Sequence, residues 1–150
     1  MEDPLVIEDV FESNKICRLA FSVDGRPYVF PINYGYEKQG PNRFLYFHTG
    51  HEGKKIDMMK QNPRVCVEID DEFSLKFSET ACSYTANYRS IIAYGQLVEV
   101  LEKTNKIRGL NALMYQLTGK NNWDYEEKIL KKTNVLRLDI ESFTCRVSKD

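Results

Sequence analysis

Ile16-Cys-Arg-Leu-Ala-Phe-Ser-Val-Asp-Gly-Arg-Pro-Tyr-Val-Phe-Pro-Ile-Asn-Tyr-Gly-Tyr36 is the stretch on which the fold turns. Ile16 to Val23 carries a strand pattern. Asp24-Gly25-Arg26-Pro27 then reads as a hairpin turn, because Asp-Gly tolerates positive φ and Pro cannot join a central ladder. Tyr28 to Tyr36 is the returning strand. Gln39-Gly40-Pro41-Asn42 turns the chain again into a third strand, Phe44 to His48, and two consecutive hairpins make a β-meander.

Working outward, Ile7, Val10 and Phe11 have the i, i+3, i+4 spacing of a short amphipathic helix that Asn14 stops. After His48 a loop feeds a short helix with Ile56 and Met59, ended at Asn62-Pro63. Val65 to Asp70 is a strand, Asp71 to Thr80 is polar and unassigned, and Arg89 to Val100 is a long strand. Gly95 in its middle marks a bulge or the close approach of another backbone. Ile107, Leu110, Leu113, Met114 and Leu117 share one helical face, with Thr104 as cap and Gly119 as stop. Asp124 and Glu127 have capping-box spacing for a second helical piece. The tail offers two more strands, Val135 to Ile140 and Phe143 to Val147. Six or seven strands, with helices outside the strand series, point to a closed or nearly closed antiparallel barrel, or else an α+β sandwich. Strands and helices do not alternate, which disfavours a doubly wound parallel sheet and its dinucleotide crevice.

The 150 residues are 42% hydrophobic and 29% charged, as expected for one globular domain spanning 1–150. Lys plus Arg number 21 against 22 Asp plus Glu, a formal charge of −1, so nothing overall draws the chain to nucleic acid or to an acidic membrane surface. No apolar run approaches the roughly 18 residues of a membrane span, and the acidic start is unlike a signal peptide. The expectation is a cytoplasmic protein. Cys17, Cys66, Cys82 and Cys145 form no C-x-x-C pair and read as reduced thiols. Nine Tyr and eight Phe suit a β-rich core, although a flat ligand would also use them.

The densest candidate for chemistry is Phe47-His48-Thr49-Gly50-His51-Glu52-Gly53-Lys54-Lys55. Two glycines free the backbone, and two lysines open a helix whose amides point at an incoming anion, which makes a phosphate cradle. A surface turn with solvated lysines fits the same pattern. It is not a Walker loop, since the G-x-x-x-x-G-K-[ST] spacing is absent. His48 and His51 lack a third ligand of convincing spacing, so no metal is expected. An imidazole at His48 suits general-acid work, and equally a hydrogen bond at a strand end. Cys66 sits in an apolar run, and Cys82 has no histidine nearby in sequence to activate it, so both read as structural.

Several motifs in register resemble one family. They are Ile16 to Phe21, Asp24 to Tyr36, Leu45 to Asp57, Asn62 to Glu68 and Tyr88 to Gly95. Together they resemble the flavin-binding split-barrel proteins related to pyridoxamine 5'-phosphate oxidase, and within these the 5-nitroimidazole resistance group. The resemblance implies a six-stranded antiparallel split β-barrel with peripheral helices, forming a homodimer with FMN between the subunits. It implies that Pro31, Ile32 and Asn33 lie along the isoalloxazine edge, that His48 and Thr49 stand at the flavin, and that Lys54 and Lys55 hold the phosphate. It also implies cofactor contacts at Arg89 and Ser90. The tail lacks the Arg- and Trp-containing segment by which the oxidase proper recognises pyridoxal phosphate. The activity implied is an FMN-dependent reductase acting on a small oxidised substrate such as a nitroaromatic, with His48 facing that substrate. A flavin carrier or sensor without turnover, or a barrel that takes haem or a deazaflavin, are the alternatives.

Overall fold

The computed structural model describes residues 2–148. Its element order is α1 (Pro4–Ser13), β1 (Ile16–Val23), β2 (Arg26–Asn33), β3 (Gly35–Gln39), β4 (Asn42–Thr49), α2 (Lys54–Gln61), β5 (Arg64–Lys76), β6 (Thr85–Val100), α3 (Lys103–Thr118), α4 (Glu127–Lys132) and β7 (Asn134–Ser148), with one 3-10 turn at Ala81–Ser83. All strand pairs are antiparallel, and the sheet order is β2-β1-β5-β6-β7-β4-β3.

That order forces curvature. Seven strands laid flat would separate the two edges by about 29 Å, yet the edge strands β2 and β3 are joined through Tyr34 alone. One intervening residue spans at most about 7 Å between flanking Cα atoms. The sheet therefore curls until its edges meet without pairing, which is a split barrel. Tyr34 makes the break: it is fully buried, its hydroxyl donates to the Phe11 carbonyl at 2.7 Å, and its N–H donates to the Lys15 carbonyl at 3.3 Å. The expected strand from Tyr28 to Tyr36 is thus two strands on opposite edges, and the count among the described residues is seven rather than six.

Other boundaries also moved. The hairpin turn is only Asp24-Gly25, both at positive φ, and Pro27 and Pro31 lie within β2. An edge strand accommodates both, since half of its N–H groups have no ladder to join. The unassigned segment after Asp70 continues β5 to Lys76, with a register shift between Asp71 and Ser74. The two tail strands are one, β7, and the irregularity falls between Tyr94 and Gly95 of its partner β6. A Cβ on Gly95 would stand 2.1 Å from the Asp139 carbonyl oxygen, so the expected close approach of another backbone is real. Thr104 is not a cap, because α3 already begins at Lys103 after Glu102. Asp124 lies outside α4, whose N-cap is Glu126.

Inside the barrel Leu19, Phe21, Leu45, Phe47, Val67, Ile69, Ile91, Ala93, Leu136 and Leu138 form the core, into which α1 inserts Ile7, Val10 and Phe11 and α2 inserts Ile56, Met58 and Met59. A second cluster packs Leu110 and Leu113 of α3 against Tyr46 of β4 and Val135 of β7. Among the described residues no helix is long and apolar enough to cross a membrane.

Candidate functional site: a cleft at the α2 N-terminus

A cleft of about 500 Å³ opens where the end of β2, the end of β4 and the start of α2 converge. Its size falls within the range of about 300–1,000 Å³ usual for small-molecule sites. It is lined by Tyr28, Pro31, Ile32 and Asn33 from β2, by His48 and Thr49 from β4, by Gly50, Glu52 and Gly53 of the loop, and by Lys54, Lys55 and Ile56 of α2. Seven of the nine cofactor positions expected from the sequence therefore meet around one space, including the histidine.

The local causes are identifiable. Met58 and Met59 bury one face of α2 against the barrel, which directs its first turn to the cleft. Gly53 precedes the helix at φ 128°, a conformation that L side chains rarely adopt, and a Cβ there would meet only open space. No side chain caps the helix start, so its first amides keep their positive end toward the cleft. Lys54 places its Nζ 4.2 Å from the centroid of the Tyr28 ring, and Lys55 places its Nζ 4.3 Å from that of Phe30. At the far side the loop is tied to α4, where His51 Nε2 lies 3.0 Å from the Lys131 carbonyl oxygen. Thr49 donates its hydroxyl to the Gly50 carbonyl at 2.8 Å and accepts from Asn134 at 3.4 Å. Asn134 is 5% exposed and opposes Thr49 across the β4–β7 ladder.

The donor set combines two ammonium groups, helix amides, an exposed imidazole and the free edge of β2, beside the apolar Ile32 and Pro31. Such a surface suits a ligand with an anionic end and a flat, partly polar body. Tyr28 and Ile56 were given no site role by the sequence, and Glu52 stood in the 47–55 stretch without one of its own. Tyr28 sits two residues before Phe30 and four before Ile32 in one strand, so its place on their face was the available signal.

Arg89 and Ser90 do not join the cleft within one protomer. The Arg89 guanidinium donates from Nε and Nη2 to the two Asp71 carboxylate oxygens, each at 2.7 Å, and from Nη1 to Asp9 at 2.7 Å. It holds both carboxyls below their ordinary range. This clamp fastens α1 to the bulge of β5, helped by Asn14, which donates to Asp71 and to the Val10 carbonyl at 2.8 Å each. Ser90 faces outward on β6, opposite Asp70. The cysteines are all free thiols. Burial raises those of Cys66 and Cys145 and pushes Cys17 up to about 12, so none of these three is an activated nucleophile.

The comparison with curated protein sequences returned no match. Among solved structures, a candidate 5-nitroimidazole antibiotic resistance protein from Bacteroides thetaiotaomicron is 28% identical with a TM-score of 0.85, over 98% of this chain and 85% of that one. An FAD-binding protein from Mesorhizobium loti is 24% identical with a TM-score of 0.69, over 99% of this chain and 96% of that one. An FAD and heme binding protein from Mycobacterium smegmatis is 17% identical with a TM-score of 0.86, over 100% of this chain and 73% of that one. The last two likenesses are of fold. The sequence model of the pyridoxamine 5'-phosphate oxidase family matches residues 3–147. With a split barrel and nearly its whole length matched, the chain belongs to the pyridoxamine 5'-phosphate oxidase family.

Proposed function

We propose that the cleft binds FMN and that the protein is a flavin-dependent reductase of small oxidised substrates, nitroaromatics among them. The observation that carries the reading is the meeting, in one space, of the lysine pair at the α2 N-terminus with the free β2 edge and His48. Lys54, Lys55 and the first α2 amides hold the terminal phosphate dianion. Pro31, Ile32 and Asn33 position the ring system: among the described residues β2 pairs only with β1, so alternate backbone groups on its other side are free to meet polar ring atoms. Thr49, steadied by Asn134, flanks the same ring. His48, exposed at the cleft rim, holds or donates a proton from a ring N–H toward the substrate. The bound flavin, once reduced, would supply the electrons. The nitroimidazole-related relative favours this substrate class.

The functional unit in this reading is a homodimer. Across the outer face of the sheet, register places Val29, Ala20, Cys66 and Tyr94 in one row and Pro31, Arg18, Glu68 and Ile92 in the next. Val29 is 62% and Tyr94 52% exposed, an apolar strip that runs up to the cleft wall at Pro31. A second copy on this strip would roof the cleft, and Ser90 on the same face would reach a cofactor only from that copy. Titration of the purified protein with FMN, followed by rapid mixing of the loaded protein with NADH or NADPH, tests the reading. Bleaching of bound flavin followed by reoxidation with a nitroaromatic is expected. Bound flavin that neither bleaches nor transfers electrons would make the protein a carrier.

A further inference from the structure

The two lysines at the cleft are held by aromatic rings. Lys54 and Lys55 are consecutive on a helix, so their side chains leave the axis about 100° apart and have no intrinsic reason to converge. Tyr28 and Phe30, by contrast, are two apart on β2 and share a face. Each ring takes one ammonium group, at 4.2 Å and 4.3 Å from its centroid. The two ring centroids are 5.5 Å apart, and Phe30 is backed by Phe21 at 5.9 Å with the planes nearly parallel. The rings are therefore fixed by the barrel core and the lysines are not. Phe30 is 9% exposed, whereas Tyr28 is half-buried and lines the cleft itself.

We infer that Tyr28 is a positioning residue: its ring face, with that of Phe30, gathers the Lys54 and Lys55 ammonium groups over the cleft so that both face one phosphate group. A lysine is a long, rotamer-rich chain, and ordering it before the anion arrives lowers the cost of binding. A π face occupies one direction around an ammonium group and leaves its other N–H donors for phosphate oxygens. Two cations over rings 5.5 Å apart can straddle a single tetrahedral anion. This inference rests on the FMN reading for its ligand, but the ring–ammonium geometry can be tested without it.

The test compares wild type, Tyr28→Phe and Tyr28→Leu, with FMN and with inorganic phosphate as separate probes. Lysine methylene proton shifts report ring contact in the free protein, and thermal unfolding reports folding. Wild type and Tyr28→Phe should show the ring-current-shifted ε-methylene of Lys54, and Tyr28→Leu should lose it. Affinity for inorganic phosphate, which makes none of the ring contacts of a flavin, should fall about threefold to tenfold in Tyr28→Leu and recover in Tyr28→Phe. The salt dependence of binding should flatten only in Tyr28→Leu. An unshifted Lys54 methylene in wild type, or equal phosphate affinity in folded wild type and Tyr28→Leu, overturns the inference. Wild type that binds phosphate in a Tyr28-dependent way but not FMN overturns the functional reading and leaves this inference standing. Wild type that binds neither overturns both.

Discussion

Arg89→Leu should be one of the most damaging single substitutions outside the apolar core, for a reason that can be worked through from its contacts. Two parallel 2.7 Å bonds join Arg89 to Asp71, and these side chains are 11% and 17% exposed. Removing one partner of a fully buried ion pair costs about 3–5 kcal/mol, because the other charge is stranded. Partial access of water to Asp71 reduces that to about 2–4 kcal/mol. The arm to Asp9, 56% exposed, adds less than about 1 kcal/mol. A loss of about 3 kcal/mol at pH 7 is expected, a large part of a typical domain's 5–15 kcal/mol.

The pH dependence supplies a second check. Arg89 lowers the Asp71 and Asp9 carboxyls below the ordinary 3.8. A depressed acid contributes stability that is present above its unfolded value and lost as pH falls through its folded one. Urea unfolding curves should therefore show wild type and Arg89→Leu far apart at pH 7 and converging below about pH 4. In a double-mutant cycle with Asp71→Asn, the coupling should be at least about 1.5 kcal/mol. A loss under 0.5 kcal/mol, or a gap that persists unchanged into acid, would refute the reasoning.

Further outcomes follow from the cleft and the outer face. Lys54→Ala with Lys55→Ala should weaken FMN binding by about 100-fold or more, since each charge-assisted hydrogen bond contributes about 1.5–3 kcal/mol. The same pair should cost under about 2 kcal/mol of folding stability, because only two cation–π contacts are lost; fluorescence titration and urea unfolding measure the two. Glu68 is pushed up to about 7, chiefly by burial and then by the neighbouring Asp70, against the opposing Arg18. A raised acid stabilises fully below its unfolded value near 4.5 and loses that contribution as pH rises through 7. Glu68→Gln should accordingly abolish a decline in stability between pH 5 and 8, of order 1 kcal/mol after screening at this partly exposed site. Tyr94→Lys should leave the fold intact and shift light scattering from dimer toward monomer, together with loss of FMN affinity; a dimer that survives would move the interface elsewhere.

Much of the fold was legible because the local signals agreed with the global one. The Asp24-Gly25 turn and the stop at Gly119 each carry their own chemistry, and each falls where that chemistry says. Tyr34 was not legible: its neighbours continue an extended pattern, and the strand is broken there by long-range bonds, from its N–H to the Lys15 carbonyl and from its hydroxyl to the Phe11 carbonyl. Thr104 and Asp124 were overridden because packing of Leu110, Leu113 and Leu130 set the helix positions, and neither helix uses a side-chain cap. The cleft residues from β2, β4 and α2 were readable as motifs, since each comes from one short stretch. Arg89 shows the limit of that approach. Sequence shows a cation at the head of a strand; only the fold brings Asp9 and Asp71 to it and occupies its donors.

The most direct measurement is an equilibrium titration of the purified, cofactor-stripped protein with FMN, followed by flavin fluorescence and visible absorbance. Saturable quenching at one FMN per chain, weakened by riboflavin's lack of a phosphate and by Lys54→Ala with Lys55→Ala, is the predicted result. Absence of saturable binding, or equal affinity for FMN and riboflavin, would contradict the assignment of the cleft as a flavin phosphate site.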